Sequence, residues 1–372
     1  MSAAENIFIH GIGAVSPAGW GVLPLREALA KGEPLPIREL ARPGWTRPLR
    51  VRPVPPPASV PGFMSHARLR RASPITQYAA AAALEALGRD AAPVGEGSLR
   101  LGILFCAMTG CVNYSRRFYD ETLKDPATAS PLVFAETVFN APASHLAALL
   151  GTTAINYTLV GDPGTFLQAL AIAADWLLSE RVDGCLVVGA EEMDWLTADA
   201  ARLFARKFIL SEGAGAVYLR PGARVWNMPE TRASSTASSV VGEMSPPVRI
   251  HSITNSHMCR DRRSRARAAI RARAELPGGQ PDDLLCEGTQ GLRELDAGEL
   301  EAWRDWPGAR LAPKRILGEG LAAASAWQCV VATDALRQGQ HPAATVSVVG
   351  CHQQAIGARF VISNFSIKIS NP

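Results

Sequence analysis

Short apolar runs alternate with amphipathic, alanine-rich segments along this chain, and the alternation starts twice. That rhythm is the strongest constraint in the sequence. Strands of period two followed by helices of period 3.6 can bury their apolar faces together only in layered β/α packing. In the first round the spacing predicts strands at Asn6–Ile12, Leu101–Ala107, Ala154–Val160, Cys185–Gly189 and Gly213–Leu219. It predicts helices at Leu23–Lys31, Ser73–Leu87, Pro142–Leu150 and Thr165–Ser179. The helix SPITQYAAAAALEAL carries its own start signal, with Ser73 at the N-cap and Pro74 at the first position, where a missing N–H costs nothing. Arg38 to Gly62 is proline-rich and reads as an irregular surface connection. After a Ser-, Thr- and Pro-rich crossover from Pro221 to Pro247, the pattern begins again. It predicts strands at Val248–Ile253, Leu284–Cys286, Thr345–Val349 and Arg359–Ile362, with helices at Arg262–Glu275, Asp296–Trp306 and Leu317–Arg337. Two β/α halves, residues 1–225 and 248–372, joined by a linker at 226–247, imply an internally duplicated fold.

The 372 residues suffice for a sizeable buried core, and 47% hydrophobic against 19% charged residues is a globular balance. Seven cysteines, at 106, 111, 185, 259, 286, 329 and 351, have neither paired spacing nor a CxxC motif, which argues against a disulfide framework and structural zinc. The start MSAAENIFIHGIG lacks the basic region and long apolar run of a secretion signal, and no stretch of about 20 apolar residues is free of breakers. The expected setting is the cytoplasm. The net charge of +4 is local: Arg260, Arg262, Arg263, Arg265, Arg267, Arg271 and Arg273 stand against a single Asp261. This stretch is either a solvated helix face or a docking surface for an acidic partner. Without interleaved aromatics or a known motif, nucleic acid comes last.

Five segments, in order, carry a resemblance. HGIGAVSPAGWG (His10–Gly21), DGCLVVGAEEM (Asp183–Met193), SEGAGAVYL (Ser211–Leu219), LCEGTQGLRELDAGEL (Leu285–Leu300) and PKRILGEGLAAASAWQ (Pro313–Gln328) resemble segments of the β-ketoacyl synthases of the thiolase superfamily. The resemblance spans nearly the whole chain. It implies a five-layered αβαβα thiolase-like fold with a dimer interface beside the active site.

A condensing enzyme of that family needs a cysteine thiolate at a helix N-terminus, backbone N–H groups for the oxyanion, and two histidines. By the resemblance, the nucleophile position falls on Pro163 in VGDPGTF or, with a one-residue shift, on Asp162. Neither forms the thioester, and Pro163 also lacks the N–H. The pair fits a helix start, with Asp162 as N-cap and Pro163 at N1. The histidine positions fall on Glu287 in CEGT and Glu319 in GEGL, while the family's lysine is retained as Lys314. A carboxylate repels an enolate that a histidine would stabilise. Glu287 and Glu319 are expected to share a cavity near Lys314, either as a charge network that fills the old site or as a carboxylate pair for acid–base chemistry. Cys351 and His352 in the loop GCHQQAIG are adjacent and read as loop and core residues, since adjacent strand residues point to opposite faces. His10, His145 and His257 have no spacing partner and read as structural.

What has been lost resembles the chain-length factor that pairs with an active ketosynthase in two-component systems. The segment FAETVFNAPASHLAALLG (Phe134–Gly151) resembles that branch near its interface. The resemblance therefore implies a heterodimer with an active ketosynthase, an acyl carrier protein docked on Arg260, Arg262, Arg263 and Arg267, and no cofactor beyond the carrier's phosphopantetheine arm. Two alternatives stand beside it: an enzyme repurposed around Glu287 and Glu319 for hydrolysis, dehydration or cyclisation, and a homodimeric acyl-binding scaffold.

Overall fold

The computed structural model describes residues 7–70, 72–203, 205–222, 246–350 and 353–363. Cys351, His352 and most of the expected linker lie outside them. The first half contributes strands β1 (Ile7–Ser16), β2 (Leu101–Ala107), β3 (Asn156–Val160), β4 (Gly184–Glu191) and β5 (Gly213–Pro221). The second contributes β6 (Val248–Ile253), β7 (Leu284–Cys286), β8 (Ala309–Leu311), β9 (Ala343–Val349) and β10 (Gln354–Ile362). The order across the first sheet region is β1-β5-β4-β2-β3, and across the second β6-β10-β9-β7-β8, with β1 and β6 paired antiparallel where the two meet. Directions repeat as well. The first two junctions in each half are antiparallel and the last two parallel. The duplication expected from the two-round rhythm is thus present strand for strand.

The helices that build the layers are α1 (Val22–Lys31), α2 (Pro74–Leu87), α3 (Val112–Lys124), α4 (Ala141–Leu150), α5 (Thr165–Leu178), α6 (Arg262–Ala274), α7 (Arg293–Ala302), α8 (Pro313–Leu317) and α9 (Ala322–Arg337), with short helical turns at Ala91–Gly95, Pro131–Phe134 and Trp195–Ala201. Helix α9 packs on strands of both halves and is buried from Ala322 to Leu336, so its sequence shows no polar face. Helix α5 lies beside it on β2 and β4. Helix α2 covers the first half from outside, with α4 beside it on β2 and β3, while α6 on β10, packed against α7, covers the second. Five layers result, αβαβα. Close layering explains the small residues: a Cβ at Gly189 would lie 2.5 Å from the Ala322 carbonyl oxygen, and one at Gly215 only 2.7 Å from Ala326 Cβ.

Several boundaries differ from expectation. The predicted helix Leu317–Arg337 is broken, because Gly318 (φ 89°) and Leu321 (φ 50°) take left-handed conformations that end α8 and re-aim the chain into α9. The proline-rich connection contributes a small sheet, Arg38–Leu40 and Leu49–Arg52 with Leu210–Ser211. Helix α3 and strand β8 were not expected.

Candidate functional site

Three glutamates adjoining the strand-end motifs bracket the site from the first half. Glu191, at the end of β4, accepts from the backbone N–H groups of Met108 and Thr109 and from the Thr109 hydroxyl. Glu192 accepts from Ser73, Ile75 and Asn113. Glu212 accepts from the N–H groups of Val54 and Met193 and from the Tyr78 hydroxyl. They tie loop ends together as backbone acceptors, a role the motif strings GAEEM and SEGAG did not reveal.

The turn before α5 holds Asp162 and Pro163, both buried. The Asp162 carbonyl accepts from Thr165 N–H at 2.9 Å, so this is a tight turn and the helix begins at Thr165 rather than at Pro163. Asp162 is therefore not the N-cap. Its carboxylate accepts from Gly164 N–H at 3.1 Å, from Gln354 N–H at 3.2 Å and from Gln354 Nε2 at 2.9 Å, while its own N–H donates to Gln353 Oε1. Burial raises its pKa against those hydrogen bonds. The carboxylate lies so close to the β9–β10 loop that a Cβ at Gly350 would come within 1.7 Å of Asp162 Oδ2. Asp162 therefore works as a brace between the turn and that loop.

Glu319, 1% exposed, sits between α8 and α9. Its Oε2 accepts from Lys314 Nζ at 2.7 Å and from Gln290 Nε2 at 2.8 Å, and its Oε1 from Leu321 N–H at 2.8 Å. Glu287, 4% exposed, follows β7. It accepts from the Thr289 hydroxyl at 2.6 Å and from Arg310 Nη1 at 3.1 Å, with Arg315 Nη2 at 3.8 Å. The two glutamates thus occupy adjoining networks, Lys314 serving one and two arginines the other. Among the described residues no hydrogen bond joins them to each other or to Asp162.

Beside Glu287 lies Glu299, the glutamate of the Asp-x-x-Glu string in α7. It accepts from Gly288 N–H at 2.9 Å, and burial pushes its pKa up to about 7, with Glu287 raising it and Lys314 lowering it. Its partner Asp296 accepts from Gln290 and Gly291 N–H. Lone histidines also find partners: His145 bonds Glu136 at 2.8 Å, His257 bonds Glu275 at 2.7 Å, and His10 lies 3.7 Å from Asp90. Among the described residues every cysteine is buried, and burial lifts each thiol above its ordinary range. They also include no cluster of three or more candidate metal ligands.

A pH dependence follows. Glu191 and Glu299 have folded pKa values of about 7 against an ordinary 4.5, and Glu212 about 6, all raised by burial. A carboxyl group raised on folding contributes stability that is complete below about 4.5 and is lost as pH climbs through the folded value. The melting temperature is therefore expected to fall between pH 5 and pH 8, by the equivalent of several kcal/mol and at most about 9, at about 1.4 kcal/mol per tenfold change in proton affinity. Differential scanning fluorimetry across that range tests this, and Glu299→Gln should flatten the slope. A melting temperature that stays level or rises across it would contradict the assignment.

Of the arginine stretch, Arg260, Arg262, Arg263, Arg267 and Arg271 are exposed. Arg265 donates to the Val349 carbonyl, and Arg273 stacks 4.7 Å above the Trp303 ring. Asp261 caps α6 through Ser264, which places Arg262 and Arg263 in the first turn, where a helix dipole disfavours cations.

No protein-family model and no curated protein matches this chain. Solved structures do. A type II PKS acyl-carrier protein in complex with its ketosynthase bound to the hexaketide (AntDE:AntF) aligns at TM-score 0.73 and 15% identity, over 96% of this chain and 99% of that one. The ishigamide ketosynthase/chain length factor aligns at 0.70 and 18%, with the same coverage. A beta-ketoacyl synthase from Burkholderia phymatum STM815 aligns at 0.74 and 16%, again with the same coverage. The fold is therefore the thiolase-like fold of the ketosynthases.

Proposed function

We propose that this chain is a non-condensing ketosynthase homologue that pairs with an active ketosynthase as a chain-length-factor-like subunit and shapes the acyl tunnel in fatty-acid or polyketide-type biosynthesis. One observation carries the reading: each position where the resemblance puts a catalytic group holds a side chain already committed elsewhere. Asp162 braces a loop, Glu319 is ion-paired to Lys314, and Glu287 is held by Arg310 and Thr289. Pro163 has no N–H for an oxyanion, and no thiol among the described cysteines is disposed to ionise. The same partners weigh against Glu287 and Glu319 as acid–base catalysts, since their carboxylate oxygens are already engaged within the protein.

The edge of the first half supports a partner. Strand β3 ends the sheet, and its sequence NYTLV carries no charge. Sheet edges are usually guarded by Lys, Pro or a bulge. On it Tyr157 and Val160 are exposed, as are Phe134 and Phe139 in the segment before α4. The opposite edge, β8, has three residues and includes Arg310. In this reading the complex is cytoplasmic, binds no cofactor of its own, and meets phosphopantetheine only on a carrier protein. Among the described residues no helix is long and apolar enough to cross a membrane.

The test is co-expression with an intact ketosynthase of the same genome. A one-to-one complex is expected, with condensation dependent on the partner's cysteine and product length altered by this chain. Condensation by the isolated chain would overturn the proposal. Carrier docking is tested separately. Reversing Arg262, Arg263 and Arg267 to Glu should weaken carrier binding at least tenfold and remove most of its salt dependence. The melting temperature should hold or rise, because acidic residues suit a helix N-terminus. Unchanged carrier affinity would make the arginines a solvated face.

A further inference from the structure

Arg52 is an anomaly outside the site just described. It is 7% exposed, yet its one hydrogen bond among the described residues is from Nε to the Leu35 carbonyl at 2.8 Å, and no carboxylate among them pairs with it. Burial pulls its pKa down, and another cation, Arg50, adds to that shift. Buried arginines are ordinarily paired.

A second buried polar group without a partner lies beside it. In the small sheet, Arg52 stands in register with Ser211, so their side chains leave the same face. The alternate residues Leu49, Val51 and Leu210 turn to the other face and pack with Phe208 and Leu321. Ser211 is 1% exposed, and its Oγ has no hydrogen-bond partner among the described residues. Gly318 packs against that residue: its φ of 89° disfavours a side chain, and a Cβ there would lie 3.4 Å from Ser211 Oγ and 2.9 Å from the Ile209 carbonyl oxygen.

We propose that Arg52 and Ser211 form a subsite for a small oxyanion, a carboxylate or phosphate group, received by the free guanidinium nitrogens and the Ser211 hydroxyl. A guanidinium offers a planar fork of donors that matches either group, and a hydroxyl supplies a third. Bound charge there would act on the filled centre through the backbone. Ser211 N–H donates to the Glu319 carbonyl at 2.9 Å, and Glu319 N–H to Ile209. The inference stands apart from the partner-subunit reading, since neither a tunnel nor a second chain enters it.

The experiment titrates the whole protein with sodium phosphate and, separately, sodium acetate at constant ionic strength, read by thermal shift and isothermal calorimetry. One-site saturable stabilisation is expected with at least one anion, and which one responds identifies the group. Arg52→Met should abolish the response and, in chloride alone, melt no lower than the parent chain, because it removes a charge that no carboxylate among the described residues offsets. Ser211→Ala keeps the charge and should fold normally while weakening binding about fivefold or more. The subsite is overturned if the parent chain shows no saturable response, if Arg52→Met responds like the parent, or if Ser211→Ala binds equally tightly.

Discussion

Replacing Glu319 with Leu is expected to cost about 3–5 kcal/mol of folding stability, and replacing Lys314 with Met at the same time should return most of it. The ion pair is almost fully buried, the side chains of Lys314 and Glu319 being 2% and 1% exposed at 2.7 Å. Removing the carboxylate alone takes away the counter-charge 2.7 Å from an ammonium group held in the core, so less of its desolvation is offset. Removing both replaces the pair with apolar volume, which is commonly neutral or stabilising. Urea unfolding of the parent, both single variants and the double variant closes the cycle. A double variant as unstable as Glu319→Leu would mean that Glu319 matters through its bonds to Gln290 and Leu321 rather than through Lys314. The variants also connect the pair to Glu299, whose raised pKa is held down by Lys314. Lys314→Met should therefore move the pH-dependent loss of stability to higher pH.

That network also marks how far sequence can reach. The positions of Glu287, Glu319 and Lys314 could be read from their motifs, but their partners could not. Glu287 is held by Arg310, 23 residues away on β8, a strand too short to show a period. Glu299 was visible only as the last letter of a familiar string, and its pKa near 7 comes from burial, which a motif does not encode. The fold was more legible where period and punctuation agree. Leu101–Ala107 and Leu284–Cys286 form the predicted strands, and Ser73-Pro74 starts α2 as expected. Helix α3 was missed because its apolar residues do not face the core. None of its residues is fully buried, and Tyr119 and Leu123 are exposed. The break between α8 and α9 escaped because Leu321 adopts a left-handed conformation normally left to glycine.

Those outward-facing residues lead to the second large effect. Val160→Asp is expected to abolish association with a partner ketosynthase, lowering affinity by more than a hundredfold while leaving the chain's own melting temperature unchanged within about two degrees. Val160 ends β3, is 54% exposed, and among the described residues its backbone pairs only with β2. Its side chain therefore contributes little to the isolated fold. If the free edge of β3 pairs with a second chain, an aspartate there buries an unpaired charge in the interface and repels the strand laid against it. Val160→Thr keeps the shape and strand propensity and should retain the complex. Size-exclusion chromatography with light scattering separates the outcomes. A one-to-one complex lost only in the Asp variant supports a ketosynthase partner at this edge. A complex that survives the Asp variant places the interface elsewhere. A homodimer of the parent chain that becomes a monomer, with no ketosynthase bound in either form, would replace the partner-subunit reading with that of a self-associating scaffold.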